Sequence, residues 1–189
     1  MQQSSLSSPQ PTQAASDAAR HTWIERLVEA HADALFRYAS TLTNDRERAR
    51  DAVQETFVRL LRQPMDTLEG REGPWLFHVC RTRVLDLARK ENRMSATDFQ
   101  DPVAAHAAED AAPDAPSPAV QAEVSESAQQ ALSLLADLPP NQREAVRLRF
   151  QNNLSYKQIA EVTGLSVSNV GFLLHTALKT LRERMQARD

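Results

Sequence analysis

Cysteine is almost absent from this 189-residue chain: Cys80 stands alone. No disulfide can form within it, which suits a reducing compartment. Glycine is scarce too, at four residues, and aromatics make up only 5%. No run of alternating β-branched residues is long enough for a sheet. Ala, Leu, Arg, Glu and Gln dominate and favour helix. No apolar stretch approaches the ~20 residues of a membrane-spanning helix. The N-terminal MQQSSLSSPQPTQAASDAAR lacks the charged-then-apolar order of a secretory signal. The expected location is cytoplasmic.

Signs of catalysis are missing as well. There is no Gly-rich phosphate loop. His21, His31, His78, His106 and His175 show no metal-ligand spacing with Cys or acids. His78 and Cys80 are two apart on a predicted helix and do not share a face. Cys80 reads as a small buried apolar residue. The chain is expected not to be an enzyme, and to need no cofactor and no metal.

Cations are missing from one whole segment. Residues 95–130 carry seven acids and no Lys or Arg. The chain's net charge is −3, yet outside that segment 22 basic residues face 18 acids. Charge is segregated, so local fields matter more than the overall pI. Four parts follow. Residues 1–20 are Gln/Ser/Ala/Pro-rich and expected to be disordered. Residues 21–94 form a first helical block. Residues 95–130, with Pro113, Pro116 and Pro118 close together, read as a flexible acidic linker. Residues 131–189 form a second helical block. The expected fold is all-α: two small helical domains, the C-terminal one a helix-turn-helix. Domains of about 60–80 residues have thin cores, so partners often help to stabilise them.

In the first block Trp23, Ile24, Leu27, Val28, Leu35 and Leu42 recur at helical spacing. Asn44 or Asp45 can cap a second helix. Its apolar side is Ala49, Ala52, Val53, Phe57, Leu60 and Leu61. Pro64, Gly70, Gly73 and Pro74 mark a loop. A third, basic helix is predicted to start near Trp75, with Leu76, Val79, Cys80, Val84, Leu87 and Ala88 inward. In the second block a short helix stops at Pro139-Pro140, and another runs from Gln142 to Phe150. Ser155 then caps YKQIAEVT, Gly164 suits a left-handed C′ position, and Ser166 caps the last helix. That three-residue turn is what a helix-turn-helix requires. Ile159, Ala160, Leu165, Val167, Val170, Leu174 and Ala177 are spaced to pack its helices together.

Taken singly, each motif has a plain reading. The Asp51–Arg59 face is a solvated helix surface, the basic helix a solubilised core helix, and the helix-turn-helix a helical hairpin. Their order and spacing change that. LTNDRERARDAVQETFVRLLR, PWLFHVCRTRVLDLARK and LPPNQREAVRLRFQNNLSYKQIAEVTGLSVSNV together resemble the extracytoplasmic-function (ECF) sigma factors of bacterial RNA polymerase. The resemblance covers roughly residues 22–94 and 131–185.

It implies a promoter-recognition subunit. Asp51, Gln54, Glu55, Phe57 and Arg59 would contact the clamp of the polymerase's largest subunit. Trp75, His78, Arg81, Thr82, Arg89 and Lys90 would capture the −10 strand, where a base is flipped from the opened duplex. Lys157, Ser166, Ser168, Asn169, Phe172, His175 and Lys179 would read the −35 element, while the same domain touches the polymerase flap. An anti-sigma factor is a further implied partner. Members commonly carry Lys or Arg where this chain has Gly171, Leu173 and Thr176, and Phe172 replaces a small polar residue. Phosphate contacts would then come from Arg143, Arg147 and Lys157. Two rivals remain: a sigma-mimicking protein that binds an anti-sigma factor, and a helix-turn-helix repressor independent of polymerase.

Overall fold

A computed structural model describes residues 13–43, 45–95 and 133–186. Six α-helices occur there: α1 (Gln13–Leu42), α2 (Arg46–Leu60), α3 (Glu72–Ser95), α4 (Pro140–Phe150), α5 (Tyr156–Thr163) and α6 (Val167–Gln186). A 3-10 turn, Asp66–Leu68, interrupts the α2–α3 connection, and a helical turn at 133–136 precedes α4. No strand occurs among the described residues. Residues 1–12, Asn44, 96–132 (nearly all of the acidic linker) and 187–189 lie outside them.

α1 begins earlier than the sequence suggested. Residues 13–20 were expected to be disordered, yet they continue the helix. Ala-rich sequence permits this, and a tertiary contact rewards it. The Arg20 guanidinium donates to the carbonyl of Leu61, at the C-terminal end of α2. Helix ends leave such carbonyls without partners, and a cation there also complements the helix dipole.

Asp45 is the α2 cap: its Oδ1 accepts from the backbone N–H of Glu47 at 2.9 Å and of Arg48 at 3.2 Å. The buried face of α2 is Ala49, Ala52, Val53, Thr56 and Leu60. Leu61, expected inside, is half exposed, and Phe57 is only partly buried against the core. Thr56 takes the interior place because its hydroxyl is satisfied locally, donating to the Ala52 carbonyl at 2.7 Å. A buried hydroxyl without such a bond would be costly.

α3 starts at Glu72, three residues before Trp75. Pro74 therefore sits inside the first helical turn, where its missing N–H costs nothing. Leu76, Phe77, Val79, Cys80 and Val84 are buried. Leu87 is partly exposed and Ala88 exposed, contrary to the expected inward placement. There α3 has run beyond the helices that cover its earlier turns.

Burial raises the Cys80 thiol to about 12, partly offset by hydrogen bonding with Thr56. Thiolate is therefore scarce in the folded chain. A maleimide at pH 8 is expected to label native protein only slowly, and guanidinium-unfolded protein at once; rapid native labelling would contradict the burial. The sign of the linkage follows: the unfolded thiol ionises first, so this group's contribution to stability is lost as pH rises between about 9 and about 12.

α1, α2 and α3 pack mutually, and α6 packs on α4 and α5. The two groups also meet, because α5 lies against α3. One apolar core runs through both, from Trp23, Leu35 and Leu76 to Leu148, Ile159 and Leu174. Arg184 ties the end of α6 to Asp137 at 2.9 Å.

Candidate nucleic-acid interface

The turn between α5 and α6 follows from three local devices. Ser155 and Gln158 form a capping box: the Gln158 side chain accepts from the Ser155 N–H at 2.8 Å, and Ser155 Oγ accepts from the Gln158 N–H at 3.3 Å. Gly164 ends α5 at φ +75°, a left-handed conformation that favours glycine, and its N–H donates to Ala160 at 2.9 Å. Ser166 Oγ then accepts from the Asn169 N–H at 3.1 Å and starts α6. Ile159, Val162, Val170, Leu174 and Ala177 lock the pair from inside.

This packing decides what α6 shows to the outside. Ser166, Ser168, Asn169, Phe172, His175 and Lys179 are all exposed. From Ser168 through Phe172 and His175 to Lys179 they follow helical spacing, so they form one outward stripe. Phe172 is 66% exposed, an unusual setting for so large an apolar side chain. Arg182 continues the stripe. Leu173 is packed against the core and Thr176 is partly buried, so a cation at either position would be poorly placed. Gly171 has the Tyr156 ring within 3.8 Å of where a Cβ would sit. The absence of cations along this stretch therefore leaves a polar and aromatic stripe rather than a gap.

Lys157 is exposed on α5. Arg143 is not a free phosphate arm: its guanidinium donates to the carbonyls of Ala136 at 2.5 Å and Leu138 at 2.9 Å. It closes the end of the preceding helical turn. Arg147 is half-buried, and its pKa is lowered by burial and then by neighbouring Arg143. The phosphate role expected of Arg143 loses its basis, whereas Arg147 is only partly covered.

On α2, Asp51 and Gln54 are exposed, and Glu55 accepts from Arg59 Nε at 3.1 Å. Val58, Leu61 and Met65 add exposed apolar surface. Val58 was missed in the sequence because a lone apolar residue on a polar face breaks no pattern.

The α3 candidates divide. Arg89 and Lys90 are exposed near the end of the helix. Trp75 packs partly against the core. Thr82 donates to its own helix, to the His78 carbonyl at 2.9 Å. His78 Nδ1 stands 3.2 Å from the carbonyl oxygen of Val162 in α5, a bond that needs the Nδ1–H tautomer. Arg81 grips Glu144 of α4, Nε to Oε1 at 2.8 Å and a second nitrogen to Oε2 at 3.3 Å. Burial alone would lower the Arg81 pKa; its bonds and charge pairing with Glu144 outweigh that and raise it. The same carboxylate accepts from the Tyr38 hydroxyl at 2.6 Å. Burial, then the Glu144 charge, pushes Tyr38 well above its ordinary value.

Two protein families match in this order: Sigma-70 region 2 over residues 27–94 and Sigma-70 region 4 over residues 128–181. The ECF RNA polymerase sigma factor SigL of Mycobacterium tuberculosis is 31% identical over 175 residues, covering 89% of this chain and 92% of that protein. The chain belongs to the ECF sigma factors. SigE of Mycolicibacterium smegmatis is 30% identical over 166 residues, covering 88% of this sigma factor but only 62% of SigE. The fold matches RpoE of Bartonella quintana, solved with the anti-sigma factor NepR, at a TM-score of 0.59 and 23% identity. That match covers 86% of this chain and 96% of RpoE. As a sigma factor the chain is a non-catalytic initiation factor. No helix among the described residues is long and apolar enough to cross a membrane, and they contain no cluster of three or more His, Cys, Asp or Glu that could hold a metal.

Proposed function

We propose that this sigma factor directs RNA polymerase core to specific promoters in the cytoplasm, with residues 21–94 and 131–189 acting as separate reading units. One observation carries the proposal: an outward stripe of polar and aromatic side chains on α6, in the same chain as the polar α2 face and the basic α3. Asp51, Gln54, Glu55 and Arg59, with Phe57 at their edge, serve as the core-docking face; Val58 and Leu61 give it an apolar centre. Arg89 and Lys90 hold −10 phosphates, while Trp75, His78, Arg81 and Thr82 line the strand path once α3 is uncovered. Asn169 suits an adenine edge and Phe172 a thymine methyl in the −35 major groove. Ser166, Ser168, His175, Lys157 and Lys179 complete that contact with base edges and phosphates. Docking on core raises the effective concentration of the helix-turn-helix at DNA, so α6 need not supply affinity alone. An anti-sigma factor is the proposed sequestering partner; RpoE of Bartonella quintana, whose fold this chain shares, is solved in complex with the anti-sigma factor NepR.

Run-off transcription with purified core on genomic promoter fragments tests this reading. Specific initiation is the expected result. Tight binding to a protein inhibitor without initiation would favour a sigma mimic. Operator binding that ignores core would favour a repressor.

A further inference from the structure

Val167 and Phe172, on the first two turns of α6, are 49% and 66% exposed. Val167 was expected to pack inside the helix pair and instead faces water. Two large apolar side chains left outside, among exposed Ser168, Asn169 and His175, mark a contact face. That face is uncharged: from Ser166 to Ala177 there is no Lys, Arg, Asp or Glu. A neighbouring cation is held back from it. Arg149 donates to the Leu154 carbonyl at 3.1 Å and lies 5.8 Å from the centre of the Tyr156 ring, which itself borders Gly171.

The chemistry of this face discriminates between base pairs. In the major groove a G·C pair shows guanine O6 and N7, a cytosine amino group and no methyl. Arg or Lys would grip the guanine and Asp or Glu the cytosine; α6 has none of them here. Pressing Val167 or Phe172 onto those polar edges strips their water and returns no hydrogen bond. An A·T pair offers a thymine methyl to an apolar side chain. Asn169, three residues before Phe172 on the same face, can bond adenine N6 and N7 together.

We propose that the part of the −35 element under Val167, Asn169 and Phe172 consists of A·T pairs alone, with Phe172 the specificity-determining residue. Its ring takes a thymine methyl and rejects G·C by leaving polar base edges unpaired. The inference rests on the promoter reading above and deepens it by naming the class of DNA sequence that α6 accepts.

The test uses holoenzyme assembled from core and the full chain. A promoter that supports run-off transcription is rebuilt with a randomised −35 segment, and bound fragments are sequenced. Positions whose preference relaxes in Phe172→Ala or Asn169→Ala lie under those side chains. They are expected to be A or T in the wild-type selection, with G or C there weakening binding by about tenfold. At the Phe172 position, replacing thymidine by deoxyuridine removes only the methyl. Wild-type holoenzyme should lose about fourfold in affinity, the effect of one buried carbon, and Phe172→Ala should lose nothing. Met185→Ala, which removes another exposed apolar side chain further along α6, should keep the wild-type selection.

G or C at the relaxed positions would overturn the proposal. So would a deoxyuridine effect that is absent from the wild type or persists in Phe172→Ala, or relaxation of the same positions by Met185→Ala. Initiation without any base preference in the −35 segment sinks this inference alone, whereas no initiation from any promoter fragment sinks the promoter reading.

Discussion

Ile159→Ala is expected to cost about 3 kcal/mol of folding stability, the middle of the range for a buried Ile or Leu cut to Ala. Ile159 is fully buried in the single apolar core that continues from α5 and α6 into the first helix group. The lost methyl groups leave a void bounded by helices whose crossing is set by the Gly164 turn, so the site collapses poorly. For a chain of this size the loss corresponds to a fall in melting temperature of roughly 6–12 °C. Phe172→Ala is the matched contrast. Its side chain is 66% exposed, so stability should change by no more than about 0.5 kcal/mol. Thermal unfolding followed by circular dichroism measures both. Equal losses would mean that α6 presents a different face to solvent, and the −35 assignment would fall with it. Phe172→Ala should instead weaken binding of promoter DNA by the complete holoenzyme.

The second large effect concerns Arg89 and Lys90. Both are exposed on the last turns of α3, away from the Arg81–Glu144 contact. Arg89→Ala with Lys90→Ala is expected to slow open-complex formation by about tenfold or more, about 1.4 kcal/mol for the pair. Affinity for core should hardly change, since the docking residues lie on α2. Two lost contacts to single-stranded phosphates should also reduce the slope of log affinity against log salt by about 1.4. Permanganate footprinting of the −10 region, paired with a core-binding titration, separates the steps. Equal loss of both would remove the DNA role of this helix end.

Local structure was largely legible in the sequence. Asp45, Ser155, Gly164 and Ser166 act where capping chemistry put them, because a cap satisfies backbone groups within three or four positions. Trp23, Leu27, Leu35, Val53, Val79, Val170 and Leu174 are buried as helical spacing foretold. The errors have a common origin. Leu61 and Ala88 have the right period but no neighbour to cover them, whereas Thr56 is inside because Ala52 accepts its hydroxyl. Residues 13–20 looked unstructured because the Arg20 contact that rewards their helix lies on α2.

The site divides along the same line. Which residues could touch DNA could be read from charge and family motif. Which of them are free to do so could not. Arg143 looks like a phosphate arm in sequence and is a cap on the preceding turn. Arg81 and Arg89 look alike in sequence, yet one is bound to buried Glu144 of the other helix group and the other is exposed, 3.6 Å from Asp86 of its own helix. The sequence by itself determined the helices, their caps, the turn that makes α5 and α6 a helix-turn-helix, and the family. Those rest on backbone chemistry and periodicity acting over a few residues. Only the tertiary structure decided that α5 covers α3 and that Tyr38, Arg81 and Glu144 meet. A charged side chain on a helix has the same local pattern whether water or a buried partner 106 positions away satisfies it.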